Sequence, residues 1–452
     1  VGVLGVLGVL GLLGSAGTAQ GDDYTLTLVA RASATGSSVF RLPTGTTIND
    51  ATPDVNDSGR AAARVTTDSL NSRQGVFVGD AAAGSVVYVG GSGVTLTDPS
   101  INNGGLVVYG VAGGGLRQYN VSTQVESPLS FGVPGTGAWE GPRVSNAGVV
   151  AFRGRENGQF GQRTFDLYAP ATQTTARLVR EFAADASSPF NFVFNPSISP
   201  AGVSALKLQR GSATTGDEVY VYPAGGAPPV RVAAETGAST PGLFTGIDNG
   251  VNVNDAGEVV FAGTLASTAT RGIYVVTLAG EVRTIAQQTP SQTIAFFTPD
   301  INNRGTVVFR IQAGSTQSIV VSDGQTTSTV ATMGQSVTTD LGTTTFTGFL
   351  QNPRINERGD VAFGATLASG GRGIFVALAG VACGSSDIAS AGPVAGADGE
   401  LTADDIIFFI SAFTAGTQSV ADIAGPGPTP GGDGELTADD IILFITRFTA
   451  GC

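Results

Sequence analysis

The sequence predicts an all-β fold, a seven-bladed β-propeller closed by its own N-terminal strand, followed by a small α-helical calcium-binding module. Three observations predict it. A five-residue turn pattern recurs seven times at the spacing of a four-stranded blade. The last repeat lacks a strand that the chain start can supply. A duplicated acidic segment ends the chain. Composition agrees: 66 of the 452 residues are Gly, and Thr, Ser and Val are abundant, which favours short strands joined by tight turns over helices.

The pattern occurs as VNDSG (55–59), INNGG (101–105), VSNAG (144–148), ISPAG (198–202), VNDAG (253–257), INNRG (301–305) and INERG (355–359). An apolar β-branched residue leads in. Asn or Ser then starts the turn by bonding nearby backbone, and Gly takes the positive φ that other residues resist. A Pro stands two residues ahead of every copy except VNDAG, where Val251 stands instead. Successive terminal glycines lie 43 to 55 residues apart, the length of one blade. Four residues past each Gly stands Tyr109, Phe152, Leu206, Phe261, Phe309 or Phe363, with Ala63 breaking the rule. A large apolar residue recurring there reads as core between blades rather than as a ligand site.

Each repeat continues through a second and third apolar run. The fifth has RGIYVVTLAG (271–280) followed by EVRTIAQQT (281–289), whereas the seventh has RGIFVALAG (372–380) and then runs into the acidic tail. YTLTLVARAS (24–33) has the alternation of the missing strand, so the N-terminal strand is expected to complete the seventh blade and remove the exposed edges of an open array. Over residues 40–380 the repeats resemble those of secreted bacterial proteins with tandem NxxGxxAF motifs joined to varied C-terminal anchors. Ser145 and Ser199 replace the Asn here, and only some copies end in Phe. The resemblance implies repeat architecture and export and carries no known activity.

The tail holds ten acids and one base, Arg447, out of a chain whose net charge is −13. Charge concentrated in a foldable segment suggests a bound cation; the alternative is a solvated acidic tail. DGELTADDII occurs identically at 398–407 and 433–442. Asp398 and Asp433 supply side-chain oxygens, Gly399 and Gly434 allow a sharp bend, and the carbonyls of Glu400 and Glu435 can reach the ion. Asp405 and Asp440 stand where a calcium loop puts its last carboxylate. Thr402 and Thr437 are N-caps with an acid three residues on. Capping alone explains Thr and Asp, but not the preceding Asp-Gly or the duplication. The helices are expected to carry Ile406, Phe409, Ile410 and Phe413, and Ile441, Phe444, Ile445 and Phe448, as apolar faces.

Residues 383–452 resemble a dockerin, specifically the bacterial dockerin-like anchors that end in Gly-Cys, as Gly451–Cys452 do. The resemblance implies two Ca²⁺ loops in a pseudo-symmetric helix pair, and a cohesin-like or cell-envelope partner. A standard loop has its first Asp four residues before Asp398 or Asp433, where Val394 and Thr429 stand. Asp387 and Asp422, eleven residues upstream in each copy, are the candidate first ligands.

The opening VGVLGVLGVLGLLG and the small-residue stretch after it read as a signal peptide over residues 1–20, with removal after Ala19. The propeller then spans 22–382 and the module 383–452. No other segment is apolar enough to span a bilayer, and the mature chain is expected outside the cell, at its surface or in a periplasm. The two cysteines, Cys383 and Cys452, bracket the tail and read as a disulfide in an exported chain, with two unpaired thiols as the alternative. The negative charge argues against nucleic acid as a partner. With no His and no Cys before 383, Ser-His triads, Cys-His nucleophiles and His-ligated zinc are excluded. Trp139–Glu140 is the one local feature resembling a sugar-contacting aromatic beside an acid. The favoured reading is a non-catalytic binding or structural protein, its propeller ligand a carbohydrate or a protein. The alternative is an extracellular polysaccharide-active enzyme using Asp/Glu carboxylates.

Overall fold

The computed structural model describes residues 24–379, apart from short loop segments, and then 388–390, 394–395, 402–425 and 432–450. Within them the chain forms a β-propeller. It has seven antiparallel sheets of four or more strands, a two-stranded ribbon, and three helices near the C-terminal end. The first sheet shows the plan: Asp54–Val55, Ala61–Asp68, Arg73–Gly79 and Gly84–Val89 pair in sequence order. The sheet built from the seventh repeat departs from it. Arg354–Ile355, Val361–Leu367 and Arg372–Ala379 follow the plan, and Tyr24–Ala32 then pairs antiparallel with Arg372–Ala379, from Tyr24 opposite Ala379 to Ala32 opposite Arg372. The strand missing from the last repeat comes from the start of the chain, as the alternation in 24–33 predicts.

Side-chain alternation along the second strand of each repeat assembles the cores. Val108 packs towards the third sheet while its neighbour Tyr109 packs towards the first. Ala151 and Phe152, Ala205 and Leu206, Val260 and Phe261, and Val308 and Phe309 divide in the same way between the following and the preceding sheet. Ala362 and Phe363 complete the series, and Ala362 shares a cluster with Val55, Ala61 and Ala63 of the first sheet. The apolar clusters thus connect each sheet to the next and the seventh back to the first. Every residue at the large position is buried, none exposing more than 3%. Ala63, the exception in size, lies opposite Phe77 on the adjacent strand of the same cluster.

The turn motifs do more than reverse the chain. All seven terminal glycines have positive φ, between 71° and 99°, which lets the turn Asn fold over its own backbone. Asn302 Oδ1 accepts the amides of Arg304 and Thr306, both at 3.1 Å. Its Nδ2 donates across to Asn356 O at 3.2 Å, and Asn356 Nδ2 donates in turn to Asn56 O at 2.9 Å. Asn56, Asn102 and Asn254 make the same bridge to Asn102, Ser145 and Asn302. Ser145 and Ser199 keep only the local bond, to Val149 and Val203.

The next position forms a second circuit. Asp57 N–H donates to Asn103 Oδ1, Asn103 N–H to Asn146 Oδ1, and Asn146 N–H to Pro200 O. Pro200 has no N–H to pass on, and Ala201 donates instead, to Asp255 Oδ1. Asp255, Asn303 and Glu357 then lead back to Asp57 Oδ1.

In the tail, α1 (Ala403–Thr414), α2 (Gln418–Ala421) and α3 (Ala438–Ala450) form a cluster of their own. Phe409 and Phe444 stack with centroids 4.0 Å apart. The expected apolar faces need correction. Phe409 and Phe444 are buried, but Ile406, Ile410, Ile441 and Ile445 are exposed. The buried face of α1 consists of Asp405, Phe409 and Ala412, so a polar capping residue occupies the core position that periodicity alone assigns to Ile. The signal-peptide residues, Cys383 and Cys452 lie outside the described residues.

Candidate functional site

The residue just before the Val or Ile of each motif points to the axis. In chain order these are Asp54, Ser100, Arg143, Ser197, Asn252, Asp300 and Arg354, and all seven line one cavity of about 100 Å³. Several tie neighbouring repeats together. Asp54 Oδ2 accepts the Ile101 amide at 3.0 Å, Asp300 Oδ2 accepts the Ile355 amide at 3.1 Å, and Ser100 Oγ accepts the Val144 amide at 3.3 Å.

The two acids each face an arginine, with Arg143 Nη1 3.6 Å from Asp54 Oδ2 and Arg354 Nη1 3.4 Å from Asp300 Oδ1. Burial pushes the Asp300 carboxyl up to about 7. The Ile355 amide opposes that rise, the nearby Asp54 charge adds to it, and Arg143 opposes it.

A wider cavity of about 420 Å³ shares Arg143, Asn252 and Arg354 with the narrow one. Its wall adds Arg64, Asp98, Glu140, Asn195, Asn249, Thr298 and Asn352. Both carboxylates of this wall are engaged: Asp98 lies 3.0 Å from Arg64 Nε, and Glu140 pairs with Arg155 Nε at 3.0 Å and with Arg153. Glu140, the acid of the Trp139–Glu140 pair, lines the axial cavity. A recess of about 290 Å³ adjoins through Asn249, Gly250 and Thr298. At its edge Phe296 is 79% exposed, with the Arg271 guanidinium 4.1 Å from its ring centre. The axial arginines and asparagines carried no signal in the sequence beyond their constant offset from the turn motif.

Of the expected metal ligands, Asp387, Asp398 and Glu400 lie outside the described residues. The others fall into two groups. Asp405 and Asp440 are fully buried. Asp405 Oδ1 accepts the amides of Ile388 and Ala389, and Oδ2 accepts that of Thr402; Asp440 does the same with Ile423, Ala424 and Thr437. Burial alone would raise these carboxyls, but the three amides outweigh it and hold both below the usual carboxylate range. Thr402 and Thr437 act as N-caps, accepting the amides of Asp404 and Asp439 at 3.2 Å.

Asp422 and Asp433 form the second group. Although eleven residues apart, they meet: Asp422 Oδ1 accepts the Asp433 amide at 2.9 Å and Oδ2 the Gly434 amide at 2.7 Å. Asp433 Oδ1 accepts the Glu435 amide at 3.0 Å.

The profile of a family of unknown function, DUF7453, matches residues 144–390, more than half of the chain. The chain belongs to the DUF7453 family. No curated protein matches this DUF7453 chain. Among solved structures it is similar to a puromycin-hydrolyzing peptidase of Mycobacterium tuberculosis, at 12% identity and a TM-score of 0.47, over 75% of this chain and 52% of that one. This chain thus spans about half the length of that peptidase. It is also similar to an oligogalacturonate lyase of Vibrio parahaemolyticus (12% identity, TM-score 0.42, 79% and 98% of the two chains). A third likeness is to a gluconolactonase of Xanthomonas campestris (12%, 0.36, 67% and 96%). Likenesses at this level carry no chemistry across.

Proposed function

We propose that this DUF7453 protein is a secreted, non-catalytic binding or structural protein. In this reading each of the seven sheets is one blade of a single closed ring, and the dockerin-like tail binds two Ca²⁺ ions and attaches the ring to a cohesin-like or cell-envelope partner. The observation that carries the non-catalytic reading is the state of the axial carboxylates. In the wide cavity both carboxylates, Asp98 and Glu140, are held by arginines, while Asp54 and Asp300 of the narrow cavity each accept one backbone amide and face an arginine. Paired acid–base catalysis needs carboxylates whose oxygens are available to substrate and water.

Support for the metal reading comes from lone pairs. A carboxylate has about four acceptor sites. Asp440 already fills three with backbone amides, whereas Asp422 fills two and Asp433 one. Asp422 and Asp433 would therefore supply the side-chain oxygens for an ion in the second loop; among the described residues no third acid, Asp440 included, joins them at metal-holding distance. Asp387 and Asp398 are the counterparts in the first. Ca²⁺ would neutralise the crowded carboxylates and hold each loop closed on its helix. Calorimetric titration of the full chain with Ca²⁺ tests this: two ions per chain are expected, with the tail melting at lower temperature in chelator. No heat of binding and an unchanged melt would sink the metal reading.

A further inference from the structure

The geometry points to the wide axial cavity as a binding site for a carboxylate-bearing saccharide, with Arg143 and Arg354 as the carboxylate clamp. This deepens the binding reading above and rests on it. Arg143 and Arg354 stand where the two axial cavities meet. Their side chains are only 16% and 8% exposed, yet neither guanidinium makes a hydrogen bond among the described residues. Their separations from Asp54 and Asp300, 3.6 and 3.4 Å, exceed the ~2.7–2.9 Å of a charge-assisted hydrogen bond. The buried Nε of Arg354 has no partner.

Arginines nearby behave differently. Arg64 bonds Asp98 at 3.0 Å, and Arg271, although its Nε is also without a partner, bonds both oxygens of Asp248 at 2.9 and 2.6 Å. The difference is the carboxylate hydrogen bonds that Arg143 and Arg354 lack. Buried donors left without acceptors are unfavourable, and the planar fork of Arg matches the two oxygens of a carboxylate.

The rest of the wall suits hydroxyl groups. Asn352 Oδ1 accepts the Thr298 amide and Asn249 Oδ1 accepts from Lys207 Nζ, which leaves both side-chain NH₂ groups for a ligand. Phe296, exposed beside the recess, offers an apolar face to a sugar ring. The cavity volume lies within the range of small-molecule sites, about 300–1,000 Å³. The wall carries Arg64, Arg143 and Arg354 with Asp98 and Glu140, and Asp54 and Asp300 face the two clamp arginines from the narrow cavity, so recognition rests on the fork geometry of Arg143 and Arg354 and not on net positive charge.

Calorimetry on the full chain with glucuronate and trigalacturonate, against glucose and inorganic phosphate, tests the assignment. Binding of at least one uronate, at least tenfold tighter than glucose and phosphate, is expected. Arg354→Lys, which keeps the charge and loses the fork, should weaken it at least tenfold. Should that variant fail to fold, Arg143→Gln provides the same comparison at the other half of the clamp. No uronate binding, equal binding of glucose, or equal binding of phosphate would overturn the inference. A null result here with Ca²⁺ still bound by the tail leaves the anchoring reading standing, and the reverse result leaves this site standing.

Discussion

The propeller and the tail both use a short Asx side chain to hold repeated turns, and they differ in one chemical respect. The propeller uses Asn, which accepts and donates; the tail uses Asp, which only accepts. Asn302 takes two amides of its own turn on Oδ1 and still reaches the carbonyl of Asn356 through Nδ2. Asp405 takes three amides and has nothing to donate. The turn Asn residues can thus pass hydrogen bonds from one repeat to the next, from Asn254 through Asn302, Asn356, Asn56 and Asn102 to Ser145. In the tail, Asp405 and Asp440 each close their own repeat, and an apolar contact, the Phe409–Phe444 stack, joins the two.

The largest expected effect breaks the tail and spares the ring. Phe444→Ala removes a buried stacked ring and should cost about 3–5 kcal/mol. Scanning calorimetry of the full chain should show the tail transition lowered or lost while the propeller transition stays in place. If both moved together, the two regions would not be energetically separate.

Asn302→Asp asks the propeller to work with the tail's chemistry. It removes the donor to Asn356 and places a carboxylate where the side chain is 1% exposed, at a cost on the order of 3 kcal/mol. Urea unfolding measures this directly. Asp405→Asn makes the reciprocal exchange, and the loss of charge-assisted acceptors should lower tail stability by about 1–3 kcal/mol.

Asp300 at the axis adds a pH dependence that the tail has with the opposite sign. Asp300 is raised to about 7 from 3.8, so the folded state keeps a proton that the unfolded chain releases. Its contribution to stability is therefore present below about pH 4, declines as the pH rises towards 7 and levels off above. Asp405 and Asp440 are lowered, so their contribution is present above the unfolded carboxyl pKa and lost as the pH falls through the folded values. Asp300→Asn should relieve the propeller by on the order of 2 kcal/mol more at pH 8 than at pH 4, read from paired urea melts. An equal effect at both pH values would remove Asp300 as the titrating group.

The smallest effect is expected from Asn302→Ser, which copies the residue found at 145 and 199. It keeps a local acceptor and loses the bridge, costing about 1 kcal/mol. No change would mean that the inter-repeat bonds set register without adding stability.

Much of the scaffold was legible because it is local and periodic. Glycines with positive φ, the alternation behind Val108 and Tyr109 and the N-caps at Thr402 and Thr437 follow from short-range pattern, and the pairing of Tyr24–Ala32 with Arg372–Ala379 follows from comparing repeats, the last of which lacks a strand. The tail faces were less legible. Periodicity ranks Ile406 and Ile410 with Phe409, but Asp405 is drawn inside by three amides.

What the sequence determined by itself is therefore the repeating unit, since turn chemistry and period-two burial are settled within a few residues of chain. Only the tertiary structure decided which side chains share the axis. Arg143 reaches Asp54 across 89 positions of sequence and Arg354 reaches Asp300 across 54. Those meetings depend on the direction in which each repeat faces its neighbours. That direction follows from packing sheet against sheet around a circuit, and no window of sequence contains it.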